Sequence, residues 1–163
     1  MKTLTILVAE DDLLTRMTLE RSVVQWGYQL ISAVDGESAR ELLRTRTIDV
    51  CLLDWDLPKL NGLELCRWLR TQTTAQPPYV VLITGTEQPE EIQAGYEAGA
   101  NDYVTRPCDL KYLRRRISAV ADKRTRERLR DKPEIAGLEN HNVAGLSPLD
   151  IYLSDLRLMR RKT

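Results

Sequence analysis

Four short groups of polar residues follow apolar segments of the chain and together could act on a phosphoryl group. They occupy residues 10–12, 54–56, 84–85 and 105–107 and supply several carboxylates, a hydroxyl group and a cation. Carboxylates held close together repel one another, and a hard divalent ion such as Mg²⁺ relieves that repulsion through oxygen ligands. A carboxylate beside Mg²⁺, a hydroxyl and a fixed cation could attack a phosphoryl group, whose charge the two cations would neutralise.

Short β-rich segments precede each of these groups and predict the scaffold that holds them. The segments are residues 4–9, 29–34, 49–53, 79–84 and 102–105. The first, third and fourth are nearly continuous in apolar residues, as expected for strands that are covered on both faces of a parallel sheet. Because ligands bind beyond the carboxyl ends of such strands, we expect the polar groups to share one edge of an α/β domain.

Segments with helical spacing alternate with the strands and predict five helices. The apolar positions of the first helix are Leu14, Met17, Val24 and Trp26. Gly27 is predicted to end that helix, and Asp12 to cap its N-terminus rather than to bind a ligand. Asp109 is the predicted N-cap of the fifth helix.

The composition excludes several classes of protein. The chain has a formal net charge of zero, but its charges are unevenly distributed. Residues 1–110 carry 17 acidic and ten basic side chains, whereas residues 111–163 carry seven acidic and 14 basic ones. Its apolar runs are far shorter than a membrane-spanning helix requires. Three acidic residues interrupt the apolar run at the N-terminus, which argues against a signal peptide. We therefore predict a cytoplasmic protein. The single histidine, His141, argues against a histidine-based zinc site or a serine–histidine catalytic site.

The C-terminal part of the chain is rich in basic residues. Residues 121–132 are predicted either to continue the fifth helix or to form a charged linker. Pro133 ends this stretch, and a final helix is predicted to start at Ser147 with one apolar face between Leu149 and Met159. Basic helices can bind nucleic acid, but no helix-turn-helix, zinc-binding or RNA-recognition pattern follows, so a nucleic-acid partner is not expected.

Four motifs occur in order with fitting intervals: EDD at 10–12, LLDWDLPKLNGLEL at 52–65, VLITG at 81–85 and AGANDYVTRP at 98–107. This set resembles the receiver domain of two-component response regulators, including the chemotaxis regulators, over about residues 3–121. The resemblance implies a flavodoxin-like, doubly wound parallel sheet of five strands in the order 2-1-3-4-5, with five helices. We therefore predict a receiver domain over residues 1–121 and a charged helical connector with a helical tail over residues 122–163.

The resemblance also implies roles for the polar groups. Asp54 looks like the phosphoacceptor, which takes a phosphoryl group from a sensor histidine kinase or a phosphotransfer protein. Glu10 and Asp11 look like the acidic pair that holds Mg²⁺, together with Asp54 and the backbone carbonyl of Asp56. Such a protein is not an enzyme on other substrates, since it would catalyse only its own phosphoryl transfer and dephosphorylation.

Further positions match the family's switch, and one departs from the pattern. Thr84 looks like the hydroxyl that turns toward the phosphoryl group, Tyr103 like the aromatic switch, and Pro107 like a proline that follows a cis bond. Arg106 stands where the family has lysine. Its planar, forked guanidinium could pair with the phosphoryl group, or it could hold Asp54 in a salt bridge that resists phosphorylation.

Three hypotheses follow for the function. In the first, phosphorylation changes the surface of the fourth helix, fifth strand and fifth helix, which then binds a partner or a second copy of the chain. In the alternative, the chain is a pseudo-receiver, a constitutive interaction module whose Arg106–Asp54 pair imitates a fixed state. A further alternative is an N-terminal fragment of a regulator with a diguanylate cyclase or phosphatase output domain.

Overall fold

Residues 3–131 form a single five-stranded parallel sheet with five helices. The computed structural model describes residues 3–131. The strands are β1 (Thr5–Ala9), β2 (Gln29–Ala33), β3 (Val50–Asp54), β4 (Tyr79–Thr84) and β5 (Asp102–Thr105). The helices are α1 (Leu13–Gln25), α2 (Gly36–Thr45), α3 (Gly62–Thr71), α4 (Pro89–Glu97) and α5 (Leu110–Arg130). The strand order is β2-β1-β3-β4-β5, which confirms the predicted flavodoxin-like α/β fold.

The burial of each strand follows its place in the sheet. Every residue of β1 and β3 is buried, and so is all of β4 except Tyr79. The edge strand β2 is mostly exposed or half-buried, whereas β5 alternates between buried and half-buried residues. Central strands covered on both faces are therefore continuous in apolar residues, as the sequence predicted.

Side-chain caps begin α1 and α5, and a left-handed glycine follows the end of α1. The Asp12 side chain accepts a hydrogen bond from the Thr15 amide at 2.8 Å, which confirms Asp12 as the N-cap of α1. Asp109 likewise accepts from the amides of Lys111 and Tyr112 at the start of α5. Gly27 follows α1 with φ of 85°, a conformation that glycine adopts without steric cost.

The apolar positions predicted for α1 are not the ones that face the sheet. Leu14 is 74% exposed, and Met17 and Val24 are 52% and 58% exposed. Leu19 and Val23 pack into the core instead. Both faces of this helix carry apolar residues, so its periodicity could not identify the buried one.

The fifth helix continues beyond residue 121 to Arg130, so the stretch 121–130 is helix rather than linker. The chain divides into two compact units, with the boundary between Ile117 and Ser118. The domain division at residue 121 stays a prediction. The predicted final helix, with Ser147 and the apolar face from Leu149 to Met159, lies outside the described residues, as does His141. Of the helices described, none has the length and apolar character needed to cross a membrane.

Candidate functional site

The sheet brings the predicted site residues to its carboxyl edge. Glu10 directly follows β1, Asp54 ends β3, and Thr84 ends β4. Because β3 lies between β1 and β4, Asp54 stands between the other two along the edge. Glu10 is fully buried, and Asp54 and Thr84 are each 1% exposed. Arg106 follows β5, and its amide donates to the Thr84 carbonyl at 2.7 Å, which extends the pairing of these two strands.

Arg106 joins the two buried carboxylates through one nitrogen. Its Nη2 donates to Glu10 Oε2 at 2.6 Å and lies 2.8 Å from Asp54 Oδ1. Its Nε is a buried donor that has no hydrogen-bond partner within residues 3–131. The peptide bond between Arg106 and Pro107 is cis. The guanidinium is thus the fixed cation of the site and keeps one donor unused.

Burial of two neighbouring acids perturbs their titration. Burial, and next the negative charge of Asp54, raise the pKa of Glu10 to about 7. Burial also raises the pKa of Asp54, against the lowering effects of the Asp56 amide and of Arg106. Arg106 therefore compensates only part of the cost of burying two carboxylates side by side.

Three carboxylates fit a hard divalent cation. Oxygen atoms of Glu10, Asp11 and Asp54 all lie within 4.8 Å of one another, so they could share one ion. Asp11 is exposed to solvent, whereas Glu10 and Asp54 are buried. Asp56 is also exposed, and its amide donates to Asp54 Oδ1 at 3.2 Å. This all-oxygen donor set suits Mg²⁺, which prefers carboxylate, carbonyl and water ligands.

The loop between β3 and α3, which carries Asp56, is held by the β2–α2 loop. Lys59, with φ of 68°, donates from Nζ to Asp35 Oδ2 at 2.8 Å. The Gly36 amide donates to the Pro58 carbonyl, and a Cβ on Gly36 would lie 1.7 Å from the Leu60 oxygen. These contacts fix the path of the loop that follows Asp54.

Thr86 connects the two predicted switch residues. Its amide donates to Thr84 Oγ1 at 3.3 Å, and its carbonyl accepts from the Tyr103 hydroxyl at 2.8 Å. The Tyr103 ring also packs edge-on against Trp55, with ring centroids 6.5 Å apart and an angle of 76° between the planes. Trp55 directly follows Asp54 in the chain, so the Tyr103 ring contacts the residue next to Asp54.

One contributor to this edge was missed by sequence reasoning. Arg16 in α1 donates from Nη1 to the backbone carbonyls of Glu10, at 2.9 Å, and Asp11, at 3.2 Å. The only signal in the sequence is an arginine one turn into the helix that follows the acidic group. The contact between Arg106 and Glu10 was also missed, because a sequence does not show how far a side chain reaches.

Comparisons with known proteins agree with this architecture. The chain is 37% identical to the transcriptional regulatory protein AfsQ1 of Streptomyces coelicolor over 122 residues, which cover 75% of this chain and 53% of that protein. It is 33% identical to the phosphate regulon transcriptional regulatory protein PhoB of Klebsiella pneumoniae over 159 residues, 94% of this chain and 69% of that protein. The chain thus spans about half the length of AfsQ1.

A solved structure and a family match support the same assignment. The receiver domain of the Francisella response regulator 1452 superimposes with a TM-score of 0.68 at 28% identity, covering 73% of this chain and 97% of that one. The response regulator receiver domain family matches residues 6–118. These findings confirm the resemblance predicted from the four motifs, and the chain belongs to the response regulator receiver domain family.

Proposed function

We propose that this chain is a phosphorylation switch in which Asp54 accepts a phosphoryl group from a histidine kinase or a phosphotransfer protein. The observation that carries the proposal is the buried Asp54 carboxylate, held 2.8 Å from a fixed guanidinium and within 4.8 Å of two further acids. A carboxylate oxygen of Asp54 would attack the phosphorus. The phosphorus–nitrogen bond of the donor phosphohistidine breaks as the new phosphorus–oxygen bond forms, and the imidazole leaves with the electron pair.

Glu10, Asp11, Asp54 and the backbone carbonyl of Asp56 would hold Mg²⁺. The ion supplies positive charge where negative charge spreads over the phosphoryl oxygens. The protein's own part is to keep the acids close together at a buried edge, where electrostatic interactions are stronger than in water. The all-oxygen donor set within 4.8 Å supports this assignment.

Arg106 serves the reaction in this proposal rather than preventing it. Its Nη2 is shared between Glu10 and Asp54, while the buried Nε has no acceptor within residues 3–131. A buried donor without a partner is costly, and a phosphoryl oxygen on Asp54 would supply the missing acceptor. Guanidinium groups bind phosphate with two parallel hydrogen bonds, which a lysine cannot reproduce.

Thr84 and Tyr103 would carry the signal away from Asp54. If the Thr84 hydroxyl turns toward the phosphoryl group, its hydrogen bond from the Thr86 amide must be replaced. Thr86 also accepts the Tyr103 hydroxyl, so a change at Thr84 reaches the aromatic ring through a single residue. The new charge on Asp54 would then shift the population between two arrangements of this loop.

The output surface in this proposal is formed by α4, β5 and the first turns of α5. Glu90 and Glu97 are exposed on α4, while Lys111, Arg114 and Arg115 are exposed on α5. Opposite charges on adjacent elements suit a homodimer in which α4 of one copy faces α5 of the other, or a partner with the same charge pattern. The proposal includes the predicted cytoplasmic location, since a buried thiol such as that of Cys66 suits a reducing compartment.

The alternatives are less well supported. The Arg106–Asp54 ion pair is the observation that would favour a pseudo-receiver. AfsQ1 and PhoB are transcriptional regulators by name. The comparisons therefore favour neither a pseudo-receiver nor a regulator with a diguanylate cyclase or phosphatase output domain.

Binding of beryllofluoride, an acyl-phosphate mimic, tests the proposed switch. Calorimetry should detect binding to the wild-type chain at millimolar Mg²⁺ and none when the metal is chelated. Asp54→Asn is the matched control, because it removes the acceptor charge while it keeps the shape of the side chain. Absence of binding at millimolar Mg²⁺ would refute the switch and favour the pseudo-receiver.

A further inference from the structure

Arg16 reaches from α1 back to the loop that carries the acidic pair. Its Nη1 donates to the carbonyl oxygens of Glu10 at 2.9 Å and Asp11 at 3.2 Å. Only 16% of its side chain is exposed, so the arginine lies along the protein instead of extending into solvent. In these hydrogen bonds Arg16 contacts the backbone of both acids and not their carboxylates. Arg106, by contrast, contacts carboxylate oxygens.

A second contact holds Arg16 itself in place. Its Nε lies 3.6 Å from Glu20 Oε1, one turn further along α1. Glu20 in turn accepts a hydrogen bond from the Ser32 hydroxyl on β2 at 2.7 Å. Arg16 is thereby braced between its own helix and the neighbouring edge strand.

The two carbonyls need such a donor because of where they lie. Residues 10–12 belong to neither β1 nor α1. The Asp12 carbonyl accepts the first hydrogen bond of the helix, from the Arg16 amide at 2.9 Å, but the carbonyls of Glu10 and Asp11 precede the helix and its ladder. Glu10 is buried, so its carbonyl requires a partner, and the Arg16 side chain supplies one that the helix cannot; the same nitrogen also binds the more exposed Asp11 carbonyl.

We infer that Arg16 is a positioning residue for the acidic pair: by fixing the two carbonyls, it orients Glu10 and Asp11 toward a shared Mg²⁺. Fixing a carbonyl fixes the plane of its peptide group, and so the direction in which the attached residue carries its side chain. The inference rests on the proposed function, since it concerns the metal site of that switch.

The charge of Arg16 and its positioning role predict opposite effects on Mg²⁺ binding. A nearby positive charge repels Mg²⁺, so electrostatics alone predicts that Arg16→Met binds the metal more tightly. Loss of the two hydrogen bonds frees the acidic loop, and at the usual net strength of such bonds we expect affinity to fall about tenfold. The sign of the change therefore separates the two explanations.

NMR titration with MgCl₂, following backbone amides near the acidic pair and Asp54, measures this affinity in the folded protein. Arg16→Met should weaken binding about tenfold, and Arg16→Lys, which keeps the charge but loses the guanidinium fork, should restore part of it. Glu20→Gln keeps Arg16 and weakens its brace, so an intermediate loss is expected. Arg21→Met is the matched control, because Arg21 is exposed on the same helix and its loss should leave affinity within about twofold.

The outcomes separate the positioning role from the proposed function. Unchanged or tighter Mg²⁺ binding by Arg16→Met would overturn the positioning role alone. Failure of the wild-type chain to bind Mg²⁺ would overturn both. Urea denaturation of each variant shows whether a loss of Mg²⁺ affinity comes from a loss of stability. The inference would also be overturned if Arg16→Lys does not restore affinity and if affinity falls in proportion to stability across the variants. If Arg16→Met does not fold, Arg16→Lys and Glu20→Gln decide the question.

Discussion

Replacing Arg106 with methionine would remove the cation between two buried carboxylates. In the wild-type chain its Nη2 lies 2.6 Å from Glu10 Oε2 and 2.8 Å from Asp54 Oδ1. Both acids are almost fully buried, so their charges have little contact with water. In metal-free buffer we expect the variant to keep one proton on the pair well above neutral pH, because two adjacent buried anions cannot both remain charged.

The structure gives the size of the repulsion between the two carboxylates. Carboxylate oxygens of Glu10 and Asp54 lie within 4.8 Å of each other. At an effective dielectric constant of about 20, two unit charges at that distance repel by about 3.5 kcal/mol, which corresponds to about 2.5 pKa units. The pKa of Glu10 is already raised to about 7 with Arg106 present. This repulsion already contributes to the raised pKa of Glu10 in the wild-type chain, and loss of the guanidinium removes an effect that opposes it, so the proton should leave only at a pH above 7.

The sign of the pH dependence follows from proton linkage. A carboxyl whose pKa is raised in the folded state destabilises the fold as pH rises above its unfolded pKa, until the folded group has lost its proton. For the wild-type chain this contribution levels off above about pH 7, the folded pKa of Glu10. In Arg106→Met the decline should continue above pH 7, at about 1.4 kcal/mol for each pH unit.

Urea denaturation in the presence of EDTA, at pH 5, 7 and 9, measures this difference. The double variant Arg106→Met with Asp54→Asn is the control, because removing one of the two acids leaves only the effect of burial on Glu10 and should reduce the extra slope. Parallel pH profiles for the wild-type chain and Arg106→Met between pH 7 and 9 would refute the assignment of Arg106 as the counter-ion of both acids.

Two further variants test how the loops hold Asp54. Lys59→Met removes the ammonium whose hydrogen bond lowers the pKa of Asp35 to about 2. The lowered pKa contributes stability that is fully present above about pH 4 and is lost as pH falls toward 2. Lys59→Met should therefore be less stable than the wild-type chain in urea at pH 7, and this difference in stability should disappear near pH 2. A difference that stays constant with pH would contradict the ion pair. Gly62→Ala places a Cβ 2.2 Å from the Asp54 carbonyl oxygen, whereas Gly85→Ala meets open space. We expect the free energy of unfolding, measured in urea, to fall by about 1–3 kcal/mol in Gly62→Ala and by much less in Gly85→Ala. Equal stability of the two variants would show that the β3–α3 loop shifts freely.

The fold was predictable because its strands are distinct in composition. β1, β3 and β4 are buried on both faces and therefore continuous in apolar residues, and the predicted strands match the structure within a residue at each end. The strand order came from the resemblance to the family, since apolar runs alone do not show which strands are neighbours. The buried face of α1 could not be predicted, because Leu14 and Met17 are as apolar as the residues that pack against the sheet.

The site was predictable in its members but not in its contacts. Parallel strands must end at one edge, so residues at the ends of β1, β3, β4 and β5 were expected to lie near one another, and Glu10, Asp54 and Arg106 are in contact there. The sequence could not show that Arg106 reaches Glu10 as well as Asp54, nor that Arg16 turns back to the acidic loop. Both contacts depend on the path of long side chains, which is set by packing around them rather than by residue type.

Covalent phosphorylation of Asp54 is the most direct test of the central claim. The intact mass of the wild-type chain should increase by one phosphoryl group after incubation with a small phosphodonor and Mg²⁺. The increase should disappear in Asp54→Ala and when the metal is chelated. A wild-type chain that gains no mass, or an Asp54→Ala variant that gains as much, would contradict the account.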